Sequence, residues 1–556
     1  MAIINELKRY ERFFGLFVAL LAFSAYGDSL WNGFIGDDHS VILNNPVLKG
    51  DPLAVFKTID TLSDTLLLPY YRPLTYLSFL IEGRIHGFNP FLMHLLNVLL
   101  HSLNTFLVYR LGLRLTGSPL SALLGGLLFG LHPVNTEAVN FLSGGRNTLL
   151  ATTFSMAAVI LYMKGSEKGG FVLYILSGAA FVCGAFSKEF SLMISPVVFG
   201  LELLKFRAER DVRASVTRLL PFVIGAMLYL YLRWETLSAL GIQKGIIPGA
   251  GMKGLEGMFV IPSFWDRMRD NLYAIPKYLM NILWPFRLSP NYRVPEDLNL
   301  FALPLALGWL AIAGISVSLL VKRRDRVALF CLAWAFLLWL PVSGVFYFSS
   351  VNVADRFLYG PAIGLWILAG DVFNRSFIDR DRRQGYAFMI ILLFIFIAGA
   401  GTALRNLDWK DDLTLFRKLV RQYPDNPVGH FNLGSYYVDR YKQKGERDAL
   451  DIADEEVSKA LSLDPNYQDA YTALGLVRLE KGMFADAVKL YTRALEFFPL
   501  NRDARINRAI AYERLGMYRE ALKDYRFYLT ITTRNNIPGS NEYALRRIEE
   551  LKSYEE

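Results

Sequence analysis

Up to about residue 404, the chain alternates long hydrophobic runs with short charged punctuation. Beyond that point apolar residues fall at helical spacing among Ala, Tyr, Leu, Arg and Asp. A helix needs roughly 20 apolar residues to cross about 30 Å of hydrocarbon. Stretches that meet this are about 13–31, 91–112, 118–135, 147–164, 170–187, 190–206, 215–233, 302–321, 327–346, 356–373 and 385–404. The pattern predicts an all-α protein. A polytopic membrane helix bundle of about 11 spans fills residues 1–404, a linker helix lies within 405–431, and a water-soluble helical domain fills 432–556.

Composition agrees with that division. Of 556 residues, 53% are hydrophobic and 20% charged, and the mean hydropathy is +0.27, too apolar for an ordinary soluble chain. The net charge of +9 comes from Lys and Arg placed mainly between spans. The positive-inside effect explains that better than nucleic-acid binding does. Cys183 and Cys331 both sit in hydrophobic runs, which points to core packing and away from a disulfide framework or a metal site. The basic start, MAIINELKRYERFF, leads into a span with no small-residue cleavage site after it, and reads as a retained first helix.

Loop charge orients the bundle. Basic clusters at Lys8/Arg9/Arg12, Arg110/Arg114, Lys164/Lys168, Lys205/Arg207/Arg210/Arg213, Lys322/Arg323/Arg324/Arg326 and Arg375/Arg380/Arg382/Arg383 all fit the cytoplasmic side. The N-terminus is then inside and the C-terminal domain outside. A crossing at 270–289, RDNLYAIPKYLMNILWPFRL, would break this alternation, so that stretch is expected to lie at the outer surface. The remaining polar clusters then share the extracytoplasmic face: GDDHSVILNNP (36–46), PYYRPLTYLS (69–78), HPVNTEAVNFLSGGRN (132–147), SKEFS (187–191), NVADRFLYGP (352–361) and RNLDW (405–409).

Residues 432–529 repeat with a period of 34: Ala487 and Ala521, Tyr491 and Tyr525, Ala460 and Ala494, and Pro465 and Pro499 are each that far apart. That is the length of a tetratricopeptide helix pair. AYTALGLVRLEKGMFADAVKLYTRALEFFP carries Leu474-Gly475, Phe484, Ala487, Tyr491, Ala494 and Pro499. The array holds about three repeats, with an unpaired helix expected at 409–424. Small residues let paired helices cross closely, and the stack presents a concave surface for peptide or protein contact.

Several polar residues could carry chemistry. A carboxylate deep in hydrocarbon costs about 2.5–3.5 kcal/mol, so Asp37 and Asp38 must reach an interface or a polar cavity. They are either a solvated helix end, or a general base with a neighbour that orients a substrate hydroxyl. Arg72 in YYRP could hold a phosphate bidentately or snorkel to headgroups. His132 precedes a proline as a helix cap would, Arg146 opens a span, and Lys188-Glu189 reads as a local ion pair. Asp355-Arg356 stands at a helix start, where Asp is a common cap. No Walker loop, zinc-spaced His/Cys set, GxGxxG fingerprint or nucleophile elbow occurs.

FIGDDHSVILNNP, YYRPLTYLSF, GFNPFLMHLLNVLLHSLNTFLVYRL, LLFGLHPVNTEAVNFLSGGRNTLLA, SKEFSLMISP, ADRFLYGPAIGL and RNLDWKDDLTLF follow one another in that order. Together with the repeats, this order resembles the transmembrane-and-tetratricopeptide-repeat O-mannosyltransferases, within the GT-C class of integral-membrane glycosyltransferases. The resemblance covers residues 28–530. It implies inverting transfer of a sugar from a polyprenyl-phosphate carrier to an acceptor hydroxyl, a Ser or Thr of a protein brought by the repeats. It places the general base at Asp37 or Asp38, with Asp37 favoured and Asp38 then holding the acceptor. Donor phosphate contacts would come from Arg72, His132, Arg146, Lys188 and Arg356, with Tyr71, Glu137, Glu189 and Asp355 as further members. No metal is required in principle, although some relatives use a divalent one. Asn147 after the GR pair and Asp355 before Arg356 depart from the eukaryotic pattern. They favour a prokaryotic member in the cytoplasmic membrane, the endoplasmic reticulum being the expectation for a eukaryotic one. The alternatives are the same chemistry on a glycan or lipid acceptor, and a non-catalytic membrane-anchored repeat scaffold.

Overall fold

The computed structural model describes residues 11–58, 61–63, 66–67, 70–209, 211–239, 263–295, 298–299, 306–310, 314, 325–345, 353–377, 383–534 and 541–554. Most of the predicted 302–321 span lies outside them, as do Lys8, Arg9, Arg210, Lys322, Arg323, Arg324, Arg380 and Arg382. Described residues are helical throughout apart from turns and one ribbon, β1 (Thr61–Ser63) antiparallel to β2 (Leu66–Leu67). The chain divides into two compact units. The helices up to Asp411 belong to the first, and the second takes in Asp412 onward together with the ribbon.

The first unit comprises α1 (Glu11–Ala25), α2 (Pro73–His86), α3 (Pro90–Thr116), α4 (Pro119–Leu131), the short α5 (Thr136–Asn140), α6 (Leu142–Lys168), α7 (Phe171–Ser187), α8 (Ile194–Glu209), α9 (Val212–Ala239), α10 (Phe264–Leu283), α11 (Arg326–Trp339), α12 (Ala362–Phe377) and α13 (Arg383–Asn406). Proline and caps set several starts. Pro90 and Pro119 open α3 and α4, while the Asn89 and Ser118 side chains accept from the Leu92 and Ser121 amides.

Among the described residues five helices are long and apolar enough to cross a membrane: Pro90–Thr116, Leu142–Lys168, Val212–Ala239, Arg326–Ser343 and Met389–Trp409. Phe13–Ala25, Pro119–Leu131 and Phe171–Ser187 are apolar but shorter. The chain is an integral membrane protein. Several predicted spans have different limits. The 118–135 run stops at Leu131, since a residue preceding proline is steered out of the α region and Pro133 is next but one. The 356–373 run gives way to a 3-10 turn at Asp355–Leu358, with the helix starting at Ala362. Sequence periodicity also missed α2, whose buried Tyr76, Phe79 and Leu80 pack on Ile42, Leu48 and Val55 of the loop before it.

The second unit is a helical array. After α14 (Asp412–Gln422), the pairs are α15 (Pro427–Lys444) with α16 (Arg447–Leu463), α17 (Gln468–Glu480) with α18 (Phe484–Phe497), and α19 (Arg502–Arg514) with α20 (Tyr518–Arg534); α21 (Asn541–Leu551) follows. The small residue of each pair is required by contact. A Cβ on Gly475 would stand 2.7 Å from the Tyr491 ring, and one on Gly434 would stand 2.5 Å from Val457. Ala509, the corresponding residue of the third pair, is fully buried. Tyr491 and Tyr525 are buried as inter-helix fillers.

Candidate functional site

The loop after α1 makes a tight turn at Gly36, whose φ of +52° suits a residue without Cβ. This turn separates the two aspartates. Asp38 points inward and is fully buried. Its Oδ2 accepts from the Ile35 amide at 3.2 Å and its Oδ1 from the Ser143 amide at 2.7 Å. It therefore fastens the loop to the first turn of α6, where exposed helix amides favour a carboxylate. Burial still pushes the Asp38 carboxyl up to about 7, and Asp37 adds to the rise, against the lowering by its Ser143 and Ile35 hydrogen bonds. Both oxygens are used by backbone amides, which corrects the expectation that Asp38 holds an acceptor.

Asp37 is exposed. Its carboxylate makes no hydrogen bond or ion pair among the described residues. Surrounding protein nonetheless raises it above the ordinary carboxylate value, opposed by Arg356.

Arg356 acts on Asp37, and two further basic side chains, Lys188 and Arg72, cluster with Arg356, each held differently. Arg72, just ahead of α2, grips Glu189 through Nε at 3.1 and 3.2 Å and Nη2 at 2.9 Å, and lies 4.2 Å over the Tyr70 ring. This ion pair replaces the expected local Lys188-Glu189 pair. Arg356 pairs with Glu137, whose second oxygen accepts from the Arg356 amide at 2.9 Å. Its guanidinium lies 5.0 Å over Phe357. Lys188 is buried between them, and its Nζ donates to Thr148 Oγ1 at 2.7 Å. Among the described residues no carboxylate comes within ion-pair distance of it. Burial first, then Arg72 and Arg356, push the Lys188 ammonium well below its ordinary value; Glu189 and Glu137 oppose them.

Other expected site residues are engaged elsewhere. Arg146 is fully buried, donating to Asn97 Oδ1 at 2.5 Å, Glu82 Oε2 at 2.5 Å and the Met93 carbonyl at 3.0 Å. It cross-links α2, α3 and α6 and has no guanidinium face left for a phosphate. His132 Nδ1 accepts from the Val134 amide at 3.2 Å, so its Nε2–H donates to the Ile282 carbonyl at 2.9 Å. That fits a neutral cap packed on Trp366 and not an anion ligand. Tyr71 donates to the Phe56 carbonyl at 3.0 Å within a cluster of Phe186 and Tyr229. Asp355 is not a helix cap. It accepts from Asn281 Nδ2 at 2.9 Å, Tyr292 OH at 2.8 Å and the Ser289 amide at 2.8 Å, and burial pushes it up to about 7.

Sequence reasoning missed Thr148, which immediately follows SGGRN, one turn along α6 from Gly144. It also missed Asn281, Ser289 and Tyr292, which hold the residue beside Arg356. Among the described residues no three or more His, Cys, Asp or Glu converge to hold a metal ion. Asp37 faces Arg356, and its neighbour Asp38 has both oxygens taken by backbone amides.

A tetratricopeptide-repeat family model matches residues 472–535. Protein O-mannosyl-transferase F38B6.6 of Caenorhabditis elegans is 27% identical, over 82% of this chain and 63% of that protein. Protein O-mannosyl-transferase TMTC4 of Mus musculus is 26% identical, over 77% of this chain and 64% of the mouse protein.

The chain resembles the transmembrane-and-tetratricopeptide-repeat O-mannosyltransferases.

It spans just under two thirds of the length of these curated relatives. The archaeal oligosaccharyltransferase AglB of Archaeoglobus fulgidus, solved with an inhibitory peptide and a dolichol-phosphate, aligns at 14% identity. That alignment covers 78% of this chain and 60% of that one, with a TM-score of 0.39.

Proposed function

We propose that the protein transfers a sugar, mannose by analogy with its relatives' names, from a polyprenyl-phosphate carrier to a Ser or Thr hydroxyl of a protein, with inversion. The observation that supports this best is the unequal pair of aspartates. Asp38 is consumed by backbone amides, while Asp37 keeps an accessible carboxylate beside Arg356. A general base needs an open carboxylate within reach of its proton and a pKa raised toward the working pH.

In the proposed step the acceptor oxygen attacks the anomeric carbon as its proton passes to Asp37. The bond from that carbon to the phosphate oxygen breaks, and its electron pair leaves with the polyprenyl phosphate. Negative charge grows on the leaving phosphate. Lys188 supplies a buried amine without a carboxylate partner there, and Arg356 and Arg72 supply charges fixed in advance by Glu137 and Glu189. Fixed charges in a poorly solvated site stabilise a developing anion without reorganising. Cations thus do what a divalent metal would do, and the reaction is proposed to run without one. The repeats supply the protein contact, and sugar transfer occurs on the extracytoplasmic side.

Reconstitution tests the reading. Full-length protein in vesicles with polyprenyl-phosphate-linked mannose and unfolded polypeptide should yield hexose-modified Ser or Thr of inverted configuration. Release of free mannose alone, or retained configuration, would refute it.

A further inference from the structure

We propose that α10 and the segment after it lie flat on the membrane surface as a lipid-facing arm that carries the Asp355–Arg356 turn. The buried face of the helix mixes Asp270, Asn271 and Asn281 with Ala274, Tyr278 and Ile282. Its two ends instead expose large apolar side chains, Trp265 at 77% and Leu283 at 62%. Just beyond its end, Trp284 is 70% and Phe286 58% exposed. The aromatic residues form two pairs at opposite ends: Phe264 with Trp265 at 5.4 Å between ring centroids, and Trp284 with Phe286 at 4.7 Å.

Two other placements are costly. A spanning α10 would carry Asp266, Arg267, Arg269, Asp270 and Lys277 into or through hydrocarbon, at about 2.5–3.5 kcal/mol for each charge near the centre. Exposure to water would leave four large apolar side chains unburied, each worth about 1.5–3 kcal/mol when buried. The surface of the bilayer that holds the protein's own spans satisfies both sets. Tryptophan favours the headgroup level, and Arg287 and Arg293, both exposed beside the aromatic end, suit anionic headgroups.

The arm is tied to the candidate site at its far end. Asn281 and Ser289 both donate to Asp355, the neighbour of Arg356, and the Ile282 carbonyl accepts from His132. Seating the arm on lipid thereby sets the height of Arg356 relative to a phosphate at headgroup level. The lipid seat itself does not depend on the proposed reaction.

The test is depth. Nitroxide labels at Trp265→Cys and Trp284→Cys, each in a Cys183→Ala, Cys331→Ala background, are measured in vesicles of the full chain by oxygen and nickel-chelate accessibility. Both labels should lie within about 10 Å of the phosphate plane on one side, favouring oxygen. A depth difference near 28 Å, the rise over nineteen helical residues, would mean spanning and overturn the proposal. So would preference for the nickel chelate at both sites, or protection from both reagents. Should a labelled variant misfold, Trp265→Phe and Trp284→Phe provide the second measurement. Each should remove part of the tryptophan fluorescence that brominated lipid quenches, and undiminished quenchable signal from both would also overturn it.

Discussion

Replacing Asp37 and Asp38 separately by Asn should produce two different defects. Asp37 is exposed and makes no side-chain bond among the described residues, so Asp37→Asn should alter stability by less than about 0.5 kcal/mol. Losing a general base costs ~10²–10⁴ in rate, or about 2.7–5.5 kcal/mol of barrier. Asp38→Asn offers one acceptor oxygen to the Ile35 and Ser143 amides and turns its NH₂ toward the other. One buried amide is then orphaned, at about 1–3 kcal/mol, and the thermal midpoint should fall. The assays are sugar transfer in vesicles and thermal unfolding of the same preparations. Because desolvation by the surrounding protein raises Asp37 above the ordinary carboxylate value of 3.8, the wild-type rate should fall with decreasing pH while still above that value, as the base takes up its proton. Asp37→Asn should lack this limb. Wild-type turnover by Asp37→Asn would refute the reasoning, as would equal loss of stability in both variants.

Arg356→Lys cannot keep both the Glu137 pairing and the flat contact with Phe357; a lost charge-assisted bond of about 1.5–3 kcal/mol predicts a ~10–150-fold loss of kcat/KM for the lipid-linked sugar. Glu82→Gln leaves Arg146 charged and buried and should cost about 3–5 kcal/mol of stability. The double variant Glu82→Met, Arg146→Met should unfold near the wild-type midpoint and still turn over, and a folded but inactive double variant would restore Arg146 to the site. Chelation by EDTA should leave the transfer rate unchanged, and a loss reversed by magnesium or manganese would sink the metal-free reading.

Architecture was legible because hydrophobic runs and a 34-residue period are long-range statistics that single residues barely disturb. The repeats illustrate this: Gly434 and Gly475 announce close helix crossings in the sequence and meet Val457 and Tyr491 in the structure. The site was legible only as a set of loops. Within that set, Arg146 and Arg356 look alike in the chain, each in a polar motif at a span end. Their difference comes from distant partners: Glu82, Asn97 and Met93 enclose the first, while Glu137 holds the second near Asp37. Periodicity carries no record of such pairings. Asp38 shows the same limit, because its bond to Ser143 joins residues 105 apart.

The way the basic residues are held bears on how the site would work. A positive cluster with no counter-charge would be hard to fold, since buried cations repel and desolvation penalises each. Here Glu189 and Glu137 neutralise Arg72 and Arg356 and orient them. Among the described residues Lys188 has the Thr148 hydroxyl as its hydrogen-bond partner and no carboxylate in ion-pair reach, and its ammonium form is destabilised by burial and by both arginines. Under the proposed reaction an entering phosphate would supply the missing anion to the lysine and offset the repulsion from both arginines. Sugar without phosphate would offer none of this. The arrangement would then discriminate for the charged carrier where negative charge grows, with Asp37, on the side of Arg356, taking the proton of the incoming hydroxyl.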